Sequence, residues 1–184
     1  MTRHTAIVLA TAALLAACGS TRQDRPVALA ELQPTAGQTA QGSVWLVQKR
    51  NHVAVHARVK GLKPGSEHGF HIHETGDCSN NGVAAGGHFN PAGHPHGGPK
   101  GPHHLGDMPS LKADAGGEAQ YEHQIPGVLL SGGEGALMGR AVIVHADPDD
   151  YTTQPSGNSG ARIACGVILA PIGGAGPKFP PSKM

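Results

Sequence analysis

Short alternations of apolar and polar residues, separated by glycine-rich turns, run along most of the chain. Residues 53–59 are the clearest case, because every second position there is apolar, and a period of two is that of a strand with one buried face. The other segments with strand character are residues 27–32, 41–48, 69–74, 118–125, 140–145 and 162–169. Since the chain has almost no helical period, the pattern predicts an all-β barrel or sandwich.

Two long segments, residues 76–109 and 147–161, interrupt this pattern, and neither has a regular period. Irregular loops of this length inside a compact domain usually carry a function. The chain has 184 residues, a length that suits one domain. We therefore expect a single domain at residues 27–171 with two functional loops, followed by a flexible tail of glycine, proline and lysine at residues 172–184.

Histidines concentrate in the first of these loops and in the strand before it. Seven of the twelve histidines beyond residue 17 fall between His71 and His104. His71 and His73 are two residues apart in a predicted strand, so their side chains share one face and can bind one metal ion. Imidazole suits copper and zinc, whereas calcium and magnesium require oxygen ligands. The cluster predicts a transition-metal site. A metal-buffering tract, or histidines that only occupy polar loops, is the alternative.

The N-terminus has the features of an export signal. Arg3 precedes an apolar run at residues 6–17 that is too short to span a bilayer as a helix. The small residues that end at Cys18 resemble a bacterial lipobox. We therefore predict a cleaved lipoprotein signal peptide at residues 1–17, a lipid on Cys18 and a lipid-anchored tether at residues 18–26. An ordinary signal peptide with an incidental cysteine is the alternative.

Charge and cysteine content narrow the class of protein further. Cleavage after residue 17 removes Arg3, which takes the formal net charge from +1 to 0. A neutral chain with no basic run argues against a nucleic-acid partner. Export would leave Cys78 and Cys165 as one pair in an oxidising compartment, where a disulfide is the default.

Six segments, in order, resemble the copper/zinc superoxide dismutase family. They are GFHIHE at residues 69–74, GHFNP at 87–91, HGGPK at 96–100, HLGD at 104–107, GRAVIVH at 139–145 and RIACGVI at 162–168. The resemblance runs from about residue 41 to residue 170. It implies an eight-stranded antiparallel Greek-key barrel in which a first long loop binds zinc and a second covers the copper.

The resemblance also implies a role for each matching residue. The implied copper ligands are His71, His73, His88 and His145, and the implied zinc ligands are His88, His96, His104 and Asp107. His88 would bridge the two metals with both ring nitrogens. His94 and His103 lie beside His96 and His104, but the surrounding Gly-Gly-Pro-Lys and Leu-Gly-Asp residues favour the latter pair. For His52, His56, His68 and His123 we expect surface positions or satisfied core positions.

Three further positions match the family. Asp149 matches a carboxylate that joins a copper ligand to a zinc ligand, and Arg162 matches an arginine that guides a small anion to the copper. Cys78 and Cys165 match the disulfide within one subunit. The second loop looks shortened and has no lysine, so Lys100 and Lys112 are candidates for the missing positive charge.

The implied activity is the dismutation of superoxide to dioxygen and hydrogen peroxide by copper that alternates between Cu(II) and Cu(I), while zinc structures the site and tunes His88. With the anchor at Cys18, the chain would protect the cell envelope as a periplasm-facing lipoprotein, more readily on the outer membrane. The oligomeric state stays open, with a homodimer among the options. The rival functions are a copper-delivery lipoprotein on the same barrel and a structural or adhesive β-sandwich with incidental metal.

Overall fold

The structure is a computed structural model that describes residues 28–133 and 135–171. Its strands are β1 (Ala28–Pro34), β2 (Gln41–Gln48), β3 (His52–Lys60), β4 (Glu67–His73), β5 (Asp107–Lys112), β6 (Ala119–Pro126), β7 (Ala141–His145) and β8 (Arg162–Val167), with one 3-10 turn at Val83–Ala85. This confirms the all-β class. The predicted signal peptide, Cys18, the tether and the tail lie outside the described residues.

All strand pairs are antiparallel and follow the order β5-β4-β7-β8-β1-β2-β3-β6. The two end strands, β5 and β6, contact each other without pairing, so the barrel is nearly closed. The connections from β3 to β4 and from β6 to β7 cross between non-adjacent strands, as in a Greek key. The predicted eight-stranded antiparallel barrel is confirmed.

The core lies inside the barrel and follows the period of two. Val53, Val55, Ala57 and Val59 of β3 are all nearly inaccessible to solvent. β2 and β3 pair as an antiparallel hairpin, and its register sets Leu46 opposite Val55. Burial of each valine or leucine side chain contributes about 1.5–3 kcal/mol relative to its exposure. One face of the hairpin thereby stabilises the scaffold that carries the loops.

The structure contains a strand, β5, that the sequence pattern does not predict, because residues 76–109 have no regular period. In the structure β5 begins at Asp107 and pairs with β4, with Phe70 opposite Met108 and His71 opposite Asp107. Pro109 interrupts the sequence pattern and removes one backbone donor. Such a residue is tolerated here because β5 lies at the end of the strand order. The missed strand places Asp107 beside His71.

A disulfide joins the first loop to the last strand. Cys78 and Cys165 are bonded, with their Cα atoms 5.7 Å apart and a sequence separation of 87. The expected pairing is confirmed. In the part of the chain that the structure describes, no helix is both long enough and apolar enough to cross a membrane.

Candidate metal centre

Two clusters of buried side chains that can hold a metal ion lie next to each other and share His88. The first cluster consists of His71, His73, His88 and His145, and the second of His88, His96, His104 and Asp107. Within each cluster the possible ligand atoms all lie within 4.8 Å of one another. None of the seven residues is more than 7% exposed. The structure therefore brings together all seven metal ligands that the sequence predicts.

The four-histidine cluster is built mainly by the pleat of adjacent strands. His71 and His73 project from the same face of β4, and β7, which pairs with β4, ends at His145. An isolated bridge between His73 and His88 brings the first loop back to β4. The His88 ring centre is 4.0 Å from that of His71 and 4.9 Å from that of His73.

One nitrogen of each strand histidine is held from outside the cluster. His71 Nε2 donates to Asp149 Oδ2 (2.7 Å), His73 Nδ1 to the Gly86 carbonyl (3.0 Å) and His145 Nδ1 to the Gly160 carbonyl (3.3 Å). Such bonds fix the tautomer and orient the other nitrogen. The atoms left to face each other are His71 Nδ1, His73 Nε2 and His145 Nε2.

These strand histidines are held in the neutral form that binds metals. Burial lowers the pKa of His71 and His73 well below the usual value, and neighbouring His88 lowers both further. Burial likewise lowers the pKa of His145 to about 4. A neutral imidazole has a lone pair free for a metal ion, so no proton need be displaced near neutral pH.

The second cluster surrounds the carboxylate of Asp107. Its Oδ1 accepts from His88 Nδ1 (2.7 Å) and lies 3.3 Å from His104 Nδ1, and its Oδ2 lies 3.0 Å from His96 Nδ1. Burial alone would raise the pKa of Asp107, but the hydrogen bond and charge of His88 and the backbone N–H of Gly97 outweigh it and hold the pKa below its usual range. The result is an ionised carboxylate among three ring nitrogens.

Several buried ring nitrogens have no hydrogen-bond partner among the described residues. They are His71 Nδ1, His88 Nε2, His96 Nδ1 and His104 Nδ1. The last two lie close to Asp107 oxygens but not in hydrogen-bonding geometry. A buried polar atom without a partner costs about 1–3 kcal/mol. All four atoms belong to the two clusters, where a bound metal ion would give each of them a partner. The residues present therefore fit two metal sites.

Asp149 joins the two clusters. Its Oδ2 accepts from His71 Nε2 (2.7 Å), and its Oδ1 accepts from His96 Nε2 (2.9 Å) and from the backbone N–H of Tyr151 (2.7 Å). Gly157 packs directly against this pair, because a Cβ atom there would stand 1.9 Å from Asp149 Oδ1. The structure thus places Asp149 where the resemblance implied, between a residue of each cluster.

Arg162 lies beside the four-histidine cluster. Its guanidinium donates to the carbonyls of Gly82 and Gly86, and the Gly86 oxygen also accepts from His73 Nδ1. The side chain is therefore held in one orientation next to His73. Partial burial lowers the pKa of Arg162, although a guanidinium stays charged. Lys112, one candidate for additional positive charge, is paired with Glu67 at 2.8 Å.

The neighbouring histidines stand outside both clusters. His94 is exposed and its backbone N–H donates to Asn90, and His103 Nδ1 donates to the backbone carbonyl of His104 (2.7 Å). His68, expected as a surface or satisfied core residue, is buried. It contacts Ser66 Oγ and the carbonyl of His145 through its two nitrogens (2.6 and 2.8 Å). The sequence pattern does not indicate this supporting contact, because the predicted strand at residues 69–74 begins after His68, whereas β4 begins at Glu67.

A nearly closed Greek-key barrel with a four-histidine cluster joined through one histidine to a His3Asp cluster defines a copper/zinc superoxide dismutase. The chain belongs to this family, since residues 40–168 match the family model of copper/zinc superoxide dismutase (SODC). It is accordingly an enzyme of the superoxide dismutase type that uses copper and zinc as cofactors.

Individual proteins agree with this assignment. Superoxide dismutase (Cu-Zn) 2 of Aquifex aeolicus (strain VF5) is 42% identical over 146 residues, which span 76% of this chain and 84% of that protein. Superoxide dismutase (Cu-Zn) of Paramecium bursaria Chlorella virus 1 is 40% identical over 134 residues, or 69% and 71% of the two chains. A crystal structure of a double mutant of a SOD-like protein from Bacillus subtilis has a TM-score of 0.69 and 38% identity, and covers 77% of this chain and 97% of that chain.

Proposed function

We propose that superoxide is converted to dioxygen and hydrogen peroxide with copper in the four-histidine cluster and zinc in the cluster around Asp107. The observation that carries this assignment is a set of buried nitrogens that have no hydrogen-bond partner among the described residues and are distributed over two clusters that share His88. A four-nitrogen set suits copper, and three imidazoles with one carboxylate suit zinc.

His71, His73, His88 and His145 would hold the copper, and His88, His96, His104 and Asp107 the zinc. Copper supplies the change between Cu(II) and Cu(I) that takes an electron from one superoxide and gives it to the next, a change that zinc cannot undergo. The protein would contribute the ligands of both metals, the orientation of each ring, a group that carries protons and a group that attracts the superoxide anion.

His88 is our candidate for the proton carrier. Its Nδ1 is held by Asp107 Oδ1, while its Nε2 points into the four-histidine cluster and has no partner among the described residues. A proton taken up at Nε2 is therefore placed next to the substrate and can be passed to the peroxide product.

Arg162 is our candidate for the group that attracts superoxide. The carbonyls of Gly82 and Gly86 fix its guanidinium. The side chain would therefore not have to change conformation when a substrate anion binds. Partial burial lowers the local dielectric and strengthens the attraction. The Gly86 carbonyl ties this charge to His73, which keeps the anion close to the copper ligands.

Loading the full chain with copper and zinc, and assaying superoxide loss, tests the assignment. We expect about one of each metal per chain, and His145→Ala should abolish activity. The chain offers matched controls: His96→Ala and His104→Ala should lose zinc, whereas His94→Ala and His103→Ala should keep it. Activity that survives His145→Ala, or equal zinc loss in all four variants, would contradict the assignment.

We also propose that the enzyme protects a bacterial cell envelope from superoxide, anchored through a lipid on Cys18 and facing the periplasm, with the outer membrane favoured. The lipobox-like sequence and the disulfide, which suits an oxidising compartment, support this. Several acyl chains would hold the domain firmly, whereas one would not. Labelled fatty acid should enter the wild-type chain and not Cys18→Ala. Labelling of both, or of neither, would contradict the anchor.

A further inference from the structure

His96 differs from most of the other cluster residues in how its backbone is held. His71 and His73 lie on β4, His145 ends β7 and Asp107 begins β5, so a strand ladder fixes each of them. His96 lies in the first loop, outside every described strand. Its backbone therefore needs another source of hydrogen bonds to keep its ring in place.

The side chain of Gln154, from the second loop, supplies those bonds. The backbone N–H of His96 donates to Gln154 Oε1 (2.9 Å), and Gln154 Nε2 donates to the His96 carbonyl (2.8 Å). The amide thus pairs with both backbone groups of His96, as a neighbouring strand would. Because an N–H only donates and a carbonyl only accepts, this contact also decides which way the amide points.

The second loop holds Gln154 in position for this contact. Gln154 Nε2 also donates to the Thr152 carbonyl (3.3 Å). The Asp150 carboxylate accepts from the backbone N–H groups of Thr152 (2.9 Å) and Thr153 (2.8 Å), and Gly157 N–H donates to the Thr153 carbonyl (2.7 Å). The amide is therefore presented by a turn that is organised independently of His96.

We propose that Gln154 is a positioning residue for the zinc cluster, which it serves by holding the backbone of His96 while Asp149 holds the ring. The inference rests on the assignment of zinc to this cluster. With the backbone fixed by Gln154 and Nε2 fixed by Asp149 at 2.9 Å, His96 Nδ1 has to face Asp107. Zinc binding by the first loop then depends on the second loop. Mutation of residues that orient metal ligands in this way commonly lowers metal affinity.

The test compares zinc affinity and the cobalt spectrum of variants of the full chain. Gln154→Leu keeps the approximate size but removes both hydrogen bonds, and Gln154→Glu keeps the acceptor for His96 N–H but loses the donor. Gln124→Leu, at an exposed position of β6, is the matched control. Zinc affinity is measured by competition with a chromophoric chelator, and the visible spectrum of Co(II) in the zinc cluster reports ligand geometry.

We expect Gln154→Leu to weaken zinc binding roughly 10- to 100-fold and to alter the cobalt spectrum. Gln154→Glu should show a smaller loss, and the control none. If Gln154→Leu does not fold without metal, the comparison of Gln154→Glu with the control decides. Equal zinc affinity and an unchanged cobalt spectrum in the variants would overturn the role of Gln154 alone. A wild-type chain that binds neither zinc nor cobalt would overturn the proposed function, and this inference with it.

Discussion

Removal of the disulfide should destabilise the domain by an amount that the structure allows us to work out. The bond between Cys78 and Cys165 closes a loop of 87 residues. In the chain-entropy model such a loop restricts the unfolded chain by about 4–5 kcal/mol at 25 °C. For a domain of this size each kcal/mol moves the melting temperature by about 2–4 °C. The double variant Cys78→Ala/Cys165→Ala should therefore melt roughly 10–20 °C lower.

The same variant should also affect the copper side of the site. Cys78 fastens the segment whose carbonyls at Gly82 and Gly86 hold Arg162. Loosening this segment frees the guanidinium, so activity should fall even in protein that still contains copper. Because the variant displaces Arg162 and leaves the copper ligands in place, we expect a lower rate without a loss of copper.

Calorimetry of the metal-loaded chain and a superoxide assay normalised to copper content measure the two effects. Cys18→Ser, which removes a cysteine outside the bond, is the control and should change neither. A melting temperature within a few degrees of wild type would refute the stability argument. Full activity per copper would refute the link from the disulfide to Arg162.

Three further predictions concern single groups of the site. Arg162→Ala should slow superoxide loss and weaken inhibition by small anions while copper content is unchanged, and an unchanged rate would reject the guiding role. Gly157→Ala should lower zinc affinity, because its Cβ would collide with Asp149. Gly127→Ala, at a similar positive φ but in open space, is the control and should not. The metal-free chain should lose stability as pH falls from 6.5 towards 4. Over this range His145 becomes protonated in the unfolded chain but stays largely neutral in the folded chain, where its pKa is about 4. Denaturant melts should show a loss of about 3 kcal/mol from this residue, and no change over that range would contradict the argument.

The barrel was largely predictable because burial on one face imposes a period of two on the strands. This signal identified β2 and β3 directly, and the two strands pair in the structure. It failed at β5, where burial does not alternate, because Asp107 and Met108 are both buried, as are Ser110 and Leu111, and Pro109 separates the two pairs. The pattern therefore predicts seven strands, and only the family resemblance implies an eighth. The structure identifies the additional strand as β5 and shows its pairing with β4.

The candidate site was predictable to the extent that its residues lie in recognisable motifs. His71 and His73 share a strand face, and the geometry of a strand is enough to pair them. His71 and Asp149 are 78 residues apart in sequence, and no local rule brings them together without the resemblance. Gln154 lies neither in a predicted strand nor in a motif that matches the family, so nothing in the sequence marks it. Its contact with His96 depends on how two loops pack, which requires coordinates.

The most direct test of the account is whether one imidazole, that of His88, is shared by the two metals. The full chain is loaded with Co(II) in the zinc cluster and Cu(II) in the four-histidine cluster, and the Cu(II) signal is recorded by electron paramagnetic resonance. Metals bound to the two nitrogens of one ring are magnetically coupled, so the Cu(II) signal should be strongly weakened, and it should return in His104→Ala, which loses cobalt. A Cu(II) signal of full intensity with both metals bound would contradict the shared His88.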